Sequence, residues 1–261
     1  EVAAASWKAT TERLYVDCTA ELSDLSTRHP RSATAGQIIR QRRSAVSFDG
    51  KTSIPVRRFF QMLDRVLPRA ERPVRQRPMP WDSITWNPAI HLVLFVHRIE
   101  GLKPGLYVLI RDQSTEALLK QTVQGQFEWT TPPGCPHDLP LFLLQEEDVR
   151  HVAAQVSCGQ DIAGDSCFSL GMIAEFEAGL REHGPWFYRR LFWETGLIGQ
   201  VLYLEAEAAG VRGTGIGCFF DDPVHQVFGL TGYAFQSLYH FTIGGPVEDP
   251  RLTTWPPYSR Q

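Results

Sequence analysis

Hydrophobic positions along this chain follow two periods. TSIPVRRFFQMLDRVLP (52–68) repeats Phe59, Phe60, Leu63, Val66 and Leu67 at helical spacing, and predicts a helix capped by Ser53 with Pro55 in its first turn. A shorter helix is predicted over AGQIIRQRR (35–43), with Ser32 or Thr34 as its cap. WFYRRLFWETGLIGQVLYLEAEAAG (186–210) is apolar nearly all round, which predicts one long, central, buried helix closed by Gly210. Strands are predicted at 89–99, 106–110, 138–145, 167–176, 215–220 and 237–245, where short apolar runs are bounded by turn residues. Helical pattern fills 146–166 and 221–230. Pro68, Pro73, Pro78, Pro80 and Pro88 make 68–88 an irregular connection.

Strands and helices mix without strict alternation, so the fold class is α+β and not a doubly wound sheet. Residues 1–30 are weakly patterned and are read as an N-terminal extension, with one domain over 31–261. A length of 261 residues allows a sizeable core.

The net charge of -3 gives no reason to expect nucleic acid as a partner. No apolar run approaches the ~18 residues of a membrane helix, so no membrane partner is expected. Five cysteines without a CxxC suggest reduced thiols in a cytoplasmic protein, and no metal site. His91 and His97 are read as packing residues. No GxSxG or P-loop occurs, and no side chain stands out as an acid or base, so catalytic residues are unassigned.

The densest charge lies in RQRRSAVSF (40–48). On a wheel of ~100° per residue, Arg42 falls with Ile38 and Arg43 with Ile39, while Arg40 faces away. A guanidinium held towards a core needs an anion. Either Arg42 snorkels past the isoleucines or pairs with a carboxylate of this chain, or it holds a bound phosphate, whose geometry the guanidinium fork matches and to which Ser44 can add a hydroxyl. RGTGIGC (212–218) is either a glycine-rich turn entering a strand or a place where the backbone can approach a flat ligand. GGPVEDPRL (244–252) sets Arg251 behind a turn.

In order, RRSAVSFDGKTSIP, LFVHRIEGLKPGLYVL, HGPWFYRRLFWETGLIGQVLYLEAEAAGVRGTGIGCFFDD and VFGLTGYAFQSLYHFTIGGPVEDPRL resemble the FMN-dependent nitroreductase family, with the nearest look to its SagB-type dehydrogenase branch. The resemblance covers roughly 31–255. It implies a nitroreductase-like fold, a central, mostly antiparallel sheet wrapped by helices. It also implies dimeric architecture with FMN between two units, as a homodimer or as two halves of one tandem chain; the Glu1 start would suit such a half.

By the family pattern Arg42 and Ser44, with Arg43 between them, hold the FMN phosphate and Arg251 joins them. Gly215, Ile216, Gly217 and Cys218 lie along the flavin ring. The implied function is an FMN-dependent oxidoreductase that passes hydride through flavin N5 to or from a small or peptide-like substrate. The alternative is a non-catalytic partner or structural half of a dimer. Three departures stand out: Val46 where many members carry Arg or Lys, Glu194-Thr195-Gly196-Leu197 where SagB-type relatives often have Glu-Ala-Gly-His, and no Lys-x-x-x-Tyr of the azoline oxidases. For the cation missing at Val46, Arg98 or Arg212 could stand in, the partner half could supply one, or the unit has lost catalytic flavin and kept the fold.

Overall fold

The structure, a computed structural model, describes residues 1–8, 33–69, 77–123, 125, 127–253 and 255. Most of the expected extension, with Ser32, Pro73 and Cys18, lies outside them.

The chain enters through a single turn, α1 (Val2–Ala5), and then α2 (Ala35–Gln41). Thr34 caps α2 in a reciprocal pair with Gln37, as the sequence suggested. β1 (Ile54–Pro55) runs straight into α3 (Val56–Arg65). That helix starts later than predicted. Pro55 is extended (φ -60°, ψ 141°) and pairs in a small parallel ladder with β3 (Ile99–Glu100), so it serves as N-cap. The Ser53 hydroxyl donates to Glu100 instead of capping, at 2.6 Å.

The main sheet has six strands: β2 (Ile90–Val96), β4 (Gly105–Leu109), β5 (Leu141–Glu146), β6 (Phe168–Glu175), β7 (Arg212–Ile216) and β8 (Phe235–Gly244). Their order is β5-β4-β2-β6-β8-β7, and every neighbouring pair is antiparallel. β2 reads as unbroken apolar sequence because both its faces are covered. Leu92 and Leu94 join a core with α3 and with α8 (Tyr188–Ala208), whereas Val93 and Phe95 face a second core. The second core is closed by α4 (Glu116–Thr122), α5 (Arg150–Val156), α6 (Asp161–Gly164) and α9 (Asp221–Val227), and α7 (Glu177–His183) precedes α8. Helices on both sides of one antiparallel sheet bear out the expected α+β class.

Three further expectations need correction. The helical stretch at 146–166 is broken into α5 and α6, because Cys158 (φ 58°) and Gly159 (φ 69°) turn left-handed. The strand expected at 215–220 is β7, which starts earlier and stops at Ile216. Lastly, α8 is not buried all round. Leu191, Glu194, Ile198, Leu202 and Ala206 face inward, but Tyr188, Phe192 and Trp193 are exposed. Gly210 does follow it at φ 76°. Among the described residues no helix is long and apolar enough to cross a membrane.

Candidate functional site

β7 is an edge strand, and an edge leaves backbone groups to be satisfied. One side pairs with β8. The other is closed by the segment that leaves α2. The Ala45 amide donates to the Gly213 carbonyl at 3.1 Å, and the Thr214 hydroxyl donates to the Ala45 carbonyl at 3.0 Å. Tyr203, on α8, completes the closure: its hydroxyl accepts from the Gly215 amide and lies against the Ser44 hydroxyl, both at 2.9 Å. The arginine-serine motif and the glycine-rich strand, far apart in sequence, therefore meet around one tyrosine.

Arg42 is the C-cap of α2 and leaves helical geometry (ψ 127°), which swings its side chain over the Tyr203 ring at 4.6 Å. Among the described residues its guanidinium has no hydrogen-bond or ion-pair partner. The wheel set Arg42 towards a core, but α2 has no core side: Ile38 and Arg42 are half-buried and Ile39 is exposed. The helix packs mainly on α8, so the arginine borders a shelf instead of an interior.

Arg43 folds back instead, donating to the carbonyls of Arg40 (3.0 Å) and Arg42 (2.7 Å). It therefore caps the C-terminal end of α2, where a cation also suits the helix dipole. Gly215 lies on the shelf, and a Cβ there would collide with the Tyr239 hydroxyl. Burial, and then the neighbouring Tyr203, push the Tyr239 phenol up. Ile216 is buried, while Gly217 and Cys218 are exposed beyond the strand.

The structure does not bring Arg251 to this cluster as a free cation. Its side chain is held by Asp249 through three contacts, at 2.9, 3.2 and 2.7 Å. The two stand-in cations are also engaged. Arg98 donates to the carbonyls of Gly164 (3.3 Å) and Ser166 (2.6 Å), and Arg212 pairs with Glu248 at 2.8 Å. Val46 is 58% exposed, beside the shelf and without charge. A separate cleft of about 380 Å³ is lined by His97, Arg98, Pro104, Glu146, Glu147, Asp148 and Arg150, and shares none of the shelf's residues.

Sequence reasoning missed two features. Tyr203 and Tyr239 carried no motif, since an aromatic at helical or strand spacing reads as core. Glu194 was seen only as part of a departure from a pattern. It is fully buried and accepts from Trp86 Nε1 (3.1 Å), the Ala89 amide (3.2 Å), the Ile90 amide (3.4 Å) and the Arg111 guanidinium. Arg111 also donates to the carbonyls of Val66 and Ile90, and burial pulls its pKa down against the pull of Glu194. This pair ties α8 to the start of β2. The histidines pack, as expected. His91 Nδ1 accepts the Arg111 amide, so its proton is on Nε2, which faces Glu175. Burial lowers His97 to about 3.

Comparison with solved structures identifies the architecture. A protein from Anabaena variabilis assigned as a nitroreductase superposes with a TM-score of 0.59, at 20% identity over 81% of this chain; this chain spans only 38% of that protein. A Ralstonia eutropha protein with the same assignment gives 0.57, at 16% identity, covering 93% of this chain and 97% of its own. The fold is nitroreductase-like. Within that class, a chain of the E. coli microcin synthetase McbBCD complex with truncated pro-MccB17 bound also matches, with a TM-score of 0.57 and 18% identity over 92% of this chain and 80% of that one. No family model and no curated protein matches the sequence.

Proposed function

We propose that this chain binds FMN and is an FMN-dependent oxidoreductase of the SagB-type branch, acting on a small or peptide-like substrate in the cytoplasm. The observation that carries this reading is Arg42. A guanidinium with no acceptor among the described residues, over the Tyr203 ring and beside the Ser44 hydroxyl and the glycine strand, suits a phosphate-bearing planar cofactor. Arg42 and Ser44 hold the phosphate, and Arg43 holds the end of α2 that presents them. Arg251 can join only by exchanging Asp249 for the phosphate. Gly215 to Cys218 offer backbone without bulky side chains on the approach to the ring, apart from Ile216, which points into the core. When bound, the flavin supplies the hydride acceptor and donor at N5. The likeness to a chain of the microcin synthetase complex supports a peptide-like substrate.

The protein as purified should be yellow, or should become so on FMN addition, with saturable loss of free-flavin fluorescence. A colourless protein that cannot be reconstituted overturns the proposal. A second reading, a non-catalytic half of a dimer, is favoured by Val46 and by the engagement of Arg98 and Arg212, the two cations that could have stood in for the missing one. It predicts FMN binding without reduction by any hydride donor.

Both readings need a second unit, either another copy or a further nitroreductase-like domain. The exposed face of Tyr188, Phe192 and Trp193 on α8, with Ile39 exposed on the neighbouring α2, supports pairing there. Trp193→Glu should shift the purified chain from dimer to monomer in light scattering after gel filtration. An unchanged dimer would move the interface elsewhere.

A further inference from the structure

Two cysteines distant in sequence face one another next to the shelf. Cys158 ends α5 with φ 58°, in a left-handed conformation that a non-glycine residue seldom takes. Cys218 is in the exposed backbone just beyond β7. Three sets of contacts clamp their segments together. The Phe220 amide donates to the Val156 carbonyl at 2.8 Å. The Gln160 side-chain amide donates to the carbonyls of Ser157 (2.8 Å) and Cys218 (3.1 Å). On the core side, His240 holds both flanks: Phe219 stacks on its ring at 4.4 Å and 13°, and the Ser157 hydroxyl is 3.4 Å from Nδ1.

The two side chains are close enough to interact, and the Cys218 thiol raises the pKa of Cys158. Cys135 and Cys167 differ. Their thiols point at backbone carbonyls, and burial pushes both up to about 12.

We propose that Cys158 and Cys218 form a reversible redox pair that closes to an intramolecular disulfide by exchange with low-molecular-weight disulfides. Cys218 is the exposed thiol and attacks first. Its thiolate displaces one thiolate from a small disulfide such as oxidised glutathione, giving a mixed disulfide. The Cys158 thiolate then attacks Cys218 Sγ and expels the second small thiolate. The two thiol protons end on the two released small thiols. The protein loses two electrons and the small disulfide gains them. The new bond fastens the exit of β7 to the end of α5, and so fixes Gly217 to Phe220 in place. A transient, redox-responsive bond of this kind is compatible with a reducing compartment. The pair uses only thiols of this chain and does not depend on flavin binding.

The test is a peptide map of the intact protein, poised in glutathione buffers from reduced to oxidised and then alkylated. The expected result is one cross-linked peptide joining Cys158 to Cys218, which grows with oxidised glutathione and is lost with dithiothreitol, while Cys135 and Cys167 stay reduced. Cys158→Gly suits the left-handed backbone and should fold. In that variant, oxidation should stop at a glutathione adduct on Cys218. Full alkylation of Cys158 and Cys218 at every poise overturns the proposal. So does a stable glutathione adduct on wild-type Cys218, or a bridge from either thiol to another cysteine.

Discussion

Replacing Glu194 with alanine should lower stability by about 3–5 kcal/mol, the cost of leaving one partner of a buried ion pair alone. Arg111 would keep its charge, with burial already working against it. The amides of Ala89 and Ile90 and the Trp86 indole would lose their acceptor in a site that water does not reach. The measurement is the urea midpoint at unchanged m-value. Glu194→Gln keeps an acceptor without the charge, so it should fall between wild type and alanine. The pair Glu194→Leu with Arg111→Met removes both charges together, and should recover much of the loss because no lone charge remains buried. A loss below about 1 kcal/mol for Glu194→Ala, within the range of ordinary substitutions, would show that Arg111 finds another partner.

Arg42→Ala should weaken FMN binding by about 2 kcal/mol or more, roughly thirtyfold in Kd, the scale of a lost charge-assisted hydrogen bond. Its effect on folding should be small, because among the described residues the guanidinium lies over the Tyr203 ring and makes no hydrogen bond or ion pair. Affinity and stability therefore separate in this variant, which distinguishes a ligand contact from a structural one. Arg42→Lys keeps the charge but not the planar fork, so it should recover only part of the affinity. FMN affinity unchanged in Arg42→Ala would remove the phosphate from this shelf.

The arginine-serine motif illustrates how far local sequence reaches. Helical spacing separated Arg42 from Arg40, and among the described residues Arg42 has no acceptor. The same wheel set Arg42 towards a core, because periodicity reports which residues share a side and not what that side meets. On α2 that side meets mainly α8 and stays half-exposed. Arg43 shows the converse: next to Arg42 in sequence, it is spent on the carbonyls that end its own helix. Arg251 looked like a third phosphate ligand, yet a carboxylate two residues away holds it.

The sequence by itself determined the elements and the class. Apolar runs wide enough for two buried faces made β2 a central strand, and the proline and glycine punctuation set most element ends within a few residues. It also put the cationic motif at the end of a helix and the glycines in a strand. Only the tertiary structure decided that these two motifs share Tyr203, that Glu194 is the buried partner of Arg111, and that Cys158 faces Cys218. Each of these depends on strand order and on how α8 and α5 dock. The contacts are made between residues far apart in the chain, and spacing along the chain carries no record of them.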